Sequence, residues 1–184
     1  MYPLTTLVAV ALDAACGYPQ WLFARIGHPV SWMGRLIARC EARWNDPRLS
    51  FARRRRNGVL ALAVTLLATA AVALAIVWLA RGFFPAPWDA ILVGLAASTL
   101  IAQRSLNDHV AAVGHALEMD GIDGGRNAVA QIVGRETAAL DTAGVSRAAI
   151  ESLAENYSDG VVAPIFWLLV GGLPGAALYK AINT

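Results

Sequence analysis

Residues 58–80 read GVLALAVTLLATAAVALAIVWLA, 23 consecutive positions without a charge. About 20 apolar residues cross the hydrocarbon core of a bilayer as a helix, so this stretch is expected to span a membrane. The block Arg53-Arg54-Arg55-Arg56 stands just before it. The whole composition agrees: 57% of the 184 residues are apolar and 15% charged, against roughly 25% charged in a soluble domain. The mean hydropathy is +0.51. The expected class is an all-α, polytopic integral membrane protein with a small helical cytoplasmic segment, a single membrane domain over 1–184.

Working outward, a second span is expected over 160–180, where Gly171, Gly172, Pro164 and Pro174 predict kinks or close helix contacts. A third is expected over 87–103, with Pro87 suited to a first helical position and Trp88 to the interface. A fourth, over 4–24, is interrupted by Asp13, Gly17 and Pro19 and reads as broken or partly re-entrant. Nine arginines fall between Arg25 and Arg56, while the link after Ala80 carries only Arg81. The positive-inside rule therefore puts 25–57 in the cytoplasm, and 104–159 returns there after two spans. The location implied is a bacterial inner membrane, crossed several times. Beside a span, the arginine block reads as a topology signal rather than a nucleic-acid site.

Residues 30–44 form an amphipathic pattern, with Val30, Met33, Ile37 and Trp44 on one side and Arg35, Arg39 and Arg43 on another. In 104–159, helical spacing joins Leu106, Val110, Val113 and Leu117, then Val129, Ile132 and Val133, then Ile150, Leu153, Ala154 and Tyr157. Residues 120–125, DGIDGG, read as a turn between the first two of these. Cys16 and Cys40 have no metal or redox spacing and are expected as free thiols. The stretch 13–17 superficially matches a lipoprotein cleavage site, but the N-terminus lacks a signal peptide's basic residues.

The densest polar run is 151–160, ESLAENYSDG. On a helix Arg147, Glu151, Glu155 and Asp159 share one stripe. Three carboxylates meeting a membrane boundary repel one another unless a cation or arginine intervenes, and clustered oxygens suit Mg²⁺. The alternative is a solvated acidic face. Asp13, ionisable within an apolar stretch, is either functional or a helix terminus. His28 either shuttles protons or is structural. Arg104 and Arg135 either bind phosphate or carboxylate or pair with Asp108 and Glu136. No P-loop, dinucleotide fingerprint, nucleophile elbow or zinc-protease motif is present.

These pieces together resemble the adenosylcobinamide-phosphate synthase family of cobalamin assembly (CobD/CbiB). The matching residues are Asp13 with Gly17-Tyr18-Pro19, and His28-Pro29-Val30 with Met33-Gly34-Arg35-Leu36-Ile37. They continue through Arg104-Ser105-Leu106, residues 132–137 (IVGRET), Leu140-Asp141, the block from Glu151 to Trp167, and 179–184. Glu136 stands where the family usually has Asp, which keeps the carboxylate. The resemblance implies that the family domain continues beyond Thr184. It also implies ATP-dependent amide formation between adenosylcobyric acid and aminopropanol or its phosphate, with Mg²⁺ as cofactor and ATP as co-substrate. The roles implied are Glu151, Glu155 and Asp159 for metal; Arg104, Arg135, Asn156, Lys180 and Asn183 for substrate; and His28, Asp13 and Glu155 for catalysis. The partners implied are the substrates and the lipid bilayer, with no nucleic acid and with homo-oligomerisation left open. A non-catalytic membrane sensor of the same family is the competing reading, and a transporter the third.

Overall fold

A computed structural model describes residues 1–134 and 136–184. The described residues are mostly helical and contain no strand. In chain order the helices are α1 (Pro3–Cys16), α2 (Gln20–Ile26), α3 (Pro29–Trp44), α4 (Phe51–Phe83), α5 (Trp88–Ser98), α6 (Gln103–Met119), α7 (Gly121–Val129) and α8 (Thr142–Tyr157). A π turn, Ser158–Val162, and α9 (Ala163–Asn183) follow. They form two compact units: Met1–Ile101 with Ala163–Thr184, and Ala102–Val162. The second covers nearly the same residues as the polar segment 104–159.

The first unit has the inverted packing of a membrane protein. α4 is 33 residues long, about 50 Å at 1.5 Å per residue. Its buried positions are small or hydroxylated: Thr65, Thr69, Ala73 and Ala80. Its large side chains point outward, Leu67 at 70% and Trp78 at 72% exposed. Small residues let helix backbones approach, and lipid rather than a core covers the leucines. The same holds for the rest of the unit, whose core is rich in alanine: Ala9, Ala97, Ala176 and Ala177. The Thr65 hydroxyl donates to the Ala61 carbonyl at 2.9 Å, so it enters the core satisfied.

Among the described residues two helical runs are long and apolar enough to cross a bilayer, Phe51–Phe83 and Thr142–Asn183, and a third candidate is the pair Pro3–Cys16 and Gln20–Trp44, bent by 104°. The break at 17–19 follows from Gly17, at φ 60°, and Pro19, which cannot donate a helical hydrogen bond. The 87–103 stretch, expected to span, is helical only over the 11 residues of α5, about 16 Å. The Ser98 and Thr99 hydroxyls donate to the carbonyls of Leu95 and Ala96, local bonds that compete with helix continuation. In α9 the predicted kink falls at Gly172, with φ 62°. Tyr2 donates its backbone N–H to the carbonyl of Leu169 at 2.9 Å, satisfying an acceptor near the break. The Tyr2 ring lies 3.1 Å from where a Cβ on Gly172 would be.

The second unit has an ordinary aliphatic core of Val113, Val129, Val145, Ala148 and Ala149, with Leu117 and Ile122 packed on it. Three expectations fail in this unit. Residues 120–125 are not a turn: Gly121 takes φ +67° and the chain then continues as α7. Gly125 serves contact instead, since a Cβ there would collide with the Leu117 side chain. Ile132 and Val133 lie beyond α7 in hydrogen-bonded turns, yet still pack on the core. On α8 the buried face is Val145, Ala148, Ala149 and Ser152, which leaves Ile150 and Tyr157 exposed.

Candidate functional site

In the second unit the last two turns of α8 meet the segment 132–134 around a cavity of about 420 Å³. Glu151, Ser152, Glu155 and Asn156 line it from α8, with Ile132, Val133 and Gly134 opposite. Ser152 anchors the wall. It is buried, and its hydroxyl donates to the Ile132 carbonyl at 2.7 Å. Asn156 donates its amide to the carbonyl and hydroxyl of Ser152, at 2.9 and 3.1 Å. These bonds fix Asn156 at the cavity and turn its amide nitrogen toward the helix. The sequence signal for Ser152 was its place inside the ESLAEN run; nothing in composition marked it as an anchor.

The stripe expected from Glu151 through Asp159 does not continue as an α-helix. Residues 158–162 form a π turn, whose wider winding changes the angular register after Tyr157. Asp159 sits in that turn and does not line the cavity. The turn leaves the Gly160 carbonyl to accept from the backbone N–H of Ala102 at 3.0 Å. Among the described residues no three His, Cys, Asp or Glu side chains gather as a metal set. Two carboxylates, Glu151 and Glu155, line the cavity. That number fits Mg²⁺, which is commonly held by one or two carboxylates with water and substrate phosphate.

Arg104 Nε donates to both carboxylate oxygens of Asp108 at 3.0 Å. This hydrogen bond holds the Asp108 carboxyl below the usual carboxylate range. The local pairing weighed from sequence is therefore the one adopted. Arg135 lies outside the described residues, and with it the expected phosphate contact next to Gly134. His115 and His109 play no part in the cavity; His109 Nδ1 is 2.7 Å from the Ser105 carbonyl.

The remaining candidates belong to the first unit. His28 caps α3: its Nδ1 accepts from the Val30 N–H at 3.2 Å, which leaves the neutral ring's proton on Nε2. The Tyr18 ring stands edge-on to it with centroids 4.6 Å apart. Two donors close the corner between α2 and α3. The Tyr18 hydroxyl bonds the Gly27 carbonyl and Trp32 Nε1 bonds the Ile26 carbonyl, both at 2.7 Å. Lys180 of α9 is near enough for its charge to act on His28. Asn183 ends α9. Asp13 is buried in the last turn of α1.

A family model for the CobD/Cbib protein matches residues 6–184. The chain belongs to the CobD/CbiB family. Similar proteins named "Cobalamin biosynthesis protein CobD" include that of Rhodobacter capsulatus, 51% identical over 181 residues, covering 97% of this chain and 55% of the relative. That of Brucella suis biovar 1 is 50% identical over 179 residues, covering 96% and 54%. That of Rhizobium meliloti is 43% identical over 182 residues, covering 98% and 55%. The chain thus spans about half the length of these relatives. No solved structure matches it. Within this CobD/CbiB chain, the family-like run from Glu151 to Gly160 is the end of α8 plus the π turn, and it supplies both carboxylates of the cavity.

Proposed function

We propose that the protein carrying these residues acts in cobalamin biosynthesis by joining adenosylcobyric acid to aminopropanol, or its phosphate, through an ATP-dependent amide bond. The observation that carries the reading is the shared cavity of Glu151, Glu155 and Asn156, which lies within the stretch that the family model matches. The relatives' name, at about half identity over almost the whole chain, supports the pathway.

A carboxylate does not acylate an amine at neutral pH, because oxide is a poor leaving group. In the proposed course a substrate carboxylate oxygen attacks the γ-phosphorus of ATP and ADP leaves. The amine nitrogen then attacks the acyl carbon, phosphate departs, and the nitrogen's proton passes to a base. Glu155, with Glu151, would hold Mg²⁺ or its waters; when bound, the ion neutralises phosphate charge. Asp159 would contribute only through water. Asn156 would orient substrate. Arg104, on exchanging Asp108 for an anionic substrate, and Arg135 would hold phosphate or carboxylate. Lys180 and Asn183 would bind substrate, and His28 and Asp13 would move protons. We place the protein in the bacterial inner membrane with 25–57 and 104–159 cytoplasmic, on the arginine asymmetry.

The test is the full-length protein in detergent with adenosylcobyric acid, Mg·ATP and aminopropanol phosphate, read by product mass. The amide product is expected from wild type, and its loss from Glu155→Gln. Near-normal turnover by that variant rejects the metal role; no product from wild type rejects the reaction.

A further inference from the structure

The first unit contains a second cavity, of about 340 Å³. That falls within the roughly 300–1,000 Å³ range of small-molecule sites. Thr69, Val72 and Ile76 of α4 form one wall, and Leu22, Trp32 and Leu36 of α2 and α3 another. The α4 positions lie near the middle of the uncharged run 58–80, and α2 with α3 belongs to the bent pair that can re-enter the bilayer from the cytoplasmic side, so the cavity sits at hydrocarbon depth. Four lining side chains, Tyr18, Trp32, Thr69 and Thr99, carry a polar hydrogen, and three of these are already spent. The Tyr18 hydroxyl donates to the Gly27 carbonyl, Trp32 Nε1 to the Ile26 carbonyl, and the Thr99 hydroxyl to the Ala96 carbonyl. Water gains few partners in such a space, whereas a hydrocarbon chain matches it.

The edge of the cavity carries charge. Ile26 and Pro29 line it. Between them stands Gly27, and both terminal nitrogens of Arg35 lie 3.8 Å from where its Cβ would be. Arg35 is exposed, and among the described residues no carboxylate is paired with it. A guanidinium bonds phosphate oxygens in pairs.

We propose that this cavity holds an acyl chain of an anionic phospholipid whose phosphate rests on Arg35. An apolar slot at hydrocarbon depth with a cation at its rim matches the two ends of that molecule. A soluble phosphate would leave the slot unused. The proposal does not depend on the amide synthesis and is read without turnover.

The experiment uses the full-length protein, purified in mild detergent and exchanged with phosphatidylglycerol or phosphatidylcholine of identical chains. Bound lipid is counted by native mass spectrometry. Wild type is expected to retain one phosphatidylglycerol per chain, with about a tenfold preference over phosphatidylcholine, whose choline cation offsets the phosphate charge that Arg35 meets. Ala68→Phe and Ala96→Phe, from two different walls, fill the slot with an apolar ring and should abolish retention while melting stays cooperative. Arg35→Gln should keep a lipid but erase the headgroup preference. Retention unchanged in whichever filled variant folds, a preference surviving Arg35→Gln, or no lipid on wild type would each overturn the proposal.

Discussion

Ser152 carries more of the candidate site than its size suggests. Its hydroxyl is buried, bonds the Ile132 carbonyl and receives the Asn156 amide. Ser152→Ala would leave that carbonyl short of a donor and remove one of the two bonds that hold the Asn156 amide. A loss of about 1–3 kcal/mol is expected, measured by thermal or denaturant unfolding of the full-length protein. Arg104 offers a second check. Its bond holds Asp108 in the ionised form to lower pH, so the pairing is present above that depressed pKa and is lost as pH falls through it. Arg104→Ala should return the Asp108 titration to the ordinary range, followed by carboxyl NMR. Both groups are solvent-exposed, so little change in stability accompanies it. The carboxylates Glu151 and Glu155 were legible in the sequence because four-residue spacing forces a shared face on any α-helix. Asp159 was read onto the same α-helical stripe, whereas it lies in the π turn. Five consecutive residues carry no mark of the extra backbone residue that widens a turn.

The helices show where pattern suffices and where it fails. α4 was readable because a long uncharged run has only one low-energy state in lipid, the hydrogen-bonded helix. α5 was overextended, since hydroxyl-to-carbonyl bonds at Ser98 and Thr99 end it where hydropathy alone continues. The glycines of α7 were taken for a turn, although Gly125 is there to let α6 approach. Gly125→Ala should push against Leu117 and cost about 1–3 kcal/mol by overpacking, seen as a lower melting temperature. At the break in α9, Gly172→Ala must place a Cβ at φ 62° beside the Tyr2 ring. A cost of about 1–2 kcal/mol is expected from the backbone alone, and Tyr2→Ala should not relieve it.

The two units differ in what surrounds them. The first buries alanine and threonine and exposes leucine and tryptophan, so its surface needs lipid or detergent. The second buries valine and alanine under polar helices. Transferred to plain buffer, the full-length protein should aggregate, as light scattering would record. The arginine asymmetry makes a further prediction. With Cys16 and Cys40 replaced by serine, a cysteine introduced at Ser50 should react with a membrane-impermeant maleimide only from the cytoplasmic side. Labelling of intact cells would reverse the orientation.

The family and the all-α membrane class were fixed by the residues alone. Lipid imposes a helix on any long uncharged run, and the family match extends over residues 6–184. Only the folded chain decided which polar groups remain available. It tied Arg104 to Asp108, turned Asn156 toward Ser152, and put Asp159 in a π turn. It also opened an apolar slot beside Arg35. The reason is that spacing sets which residues share a helix face, whereas neighbours distant in sequence set what each face meets.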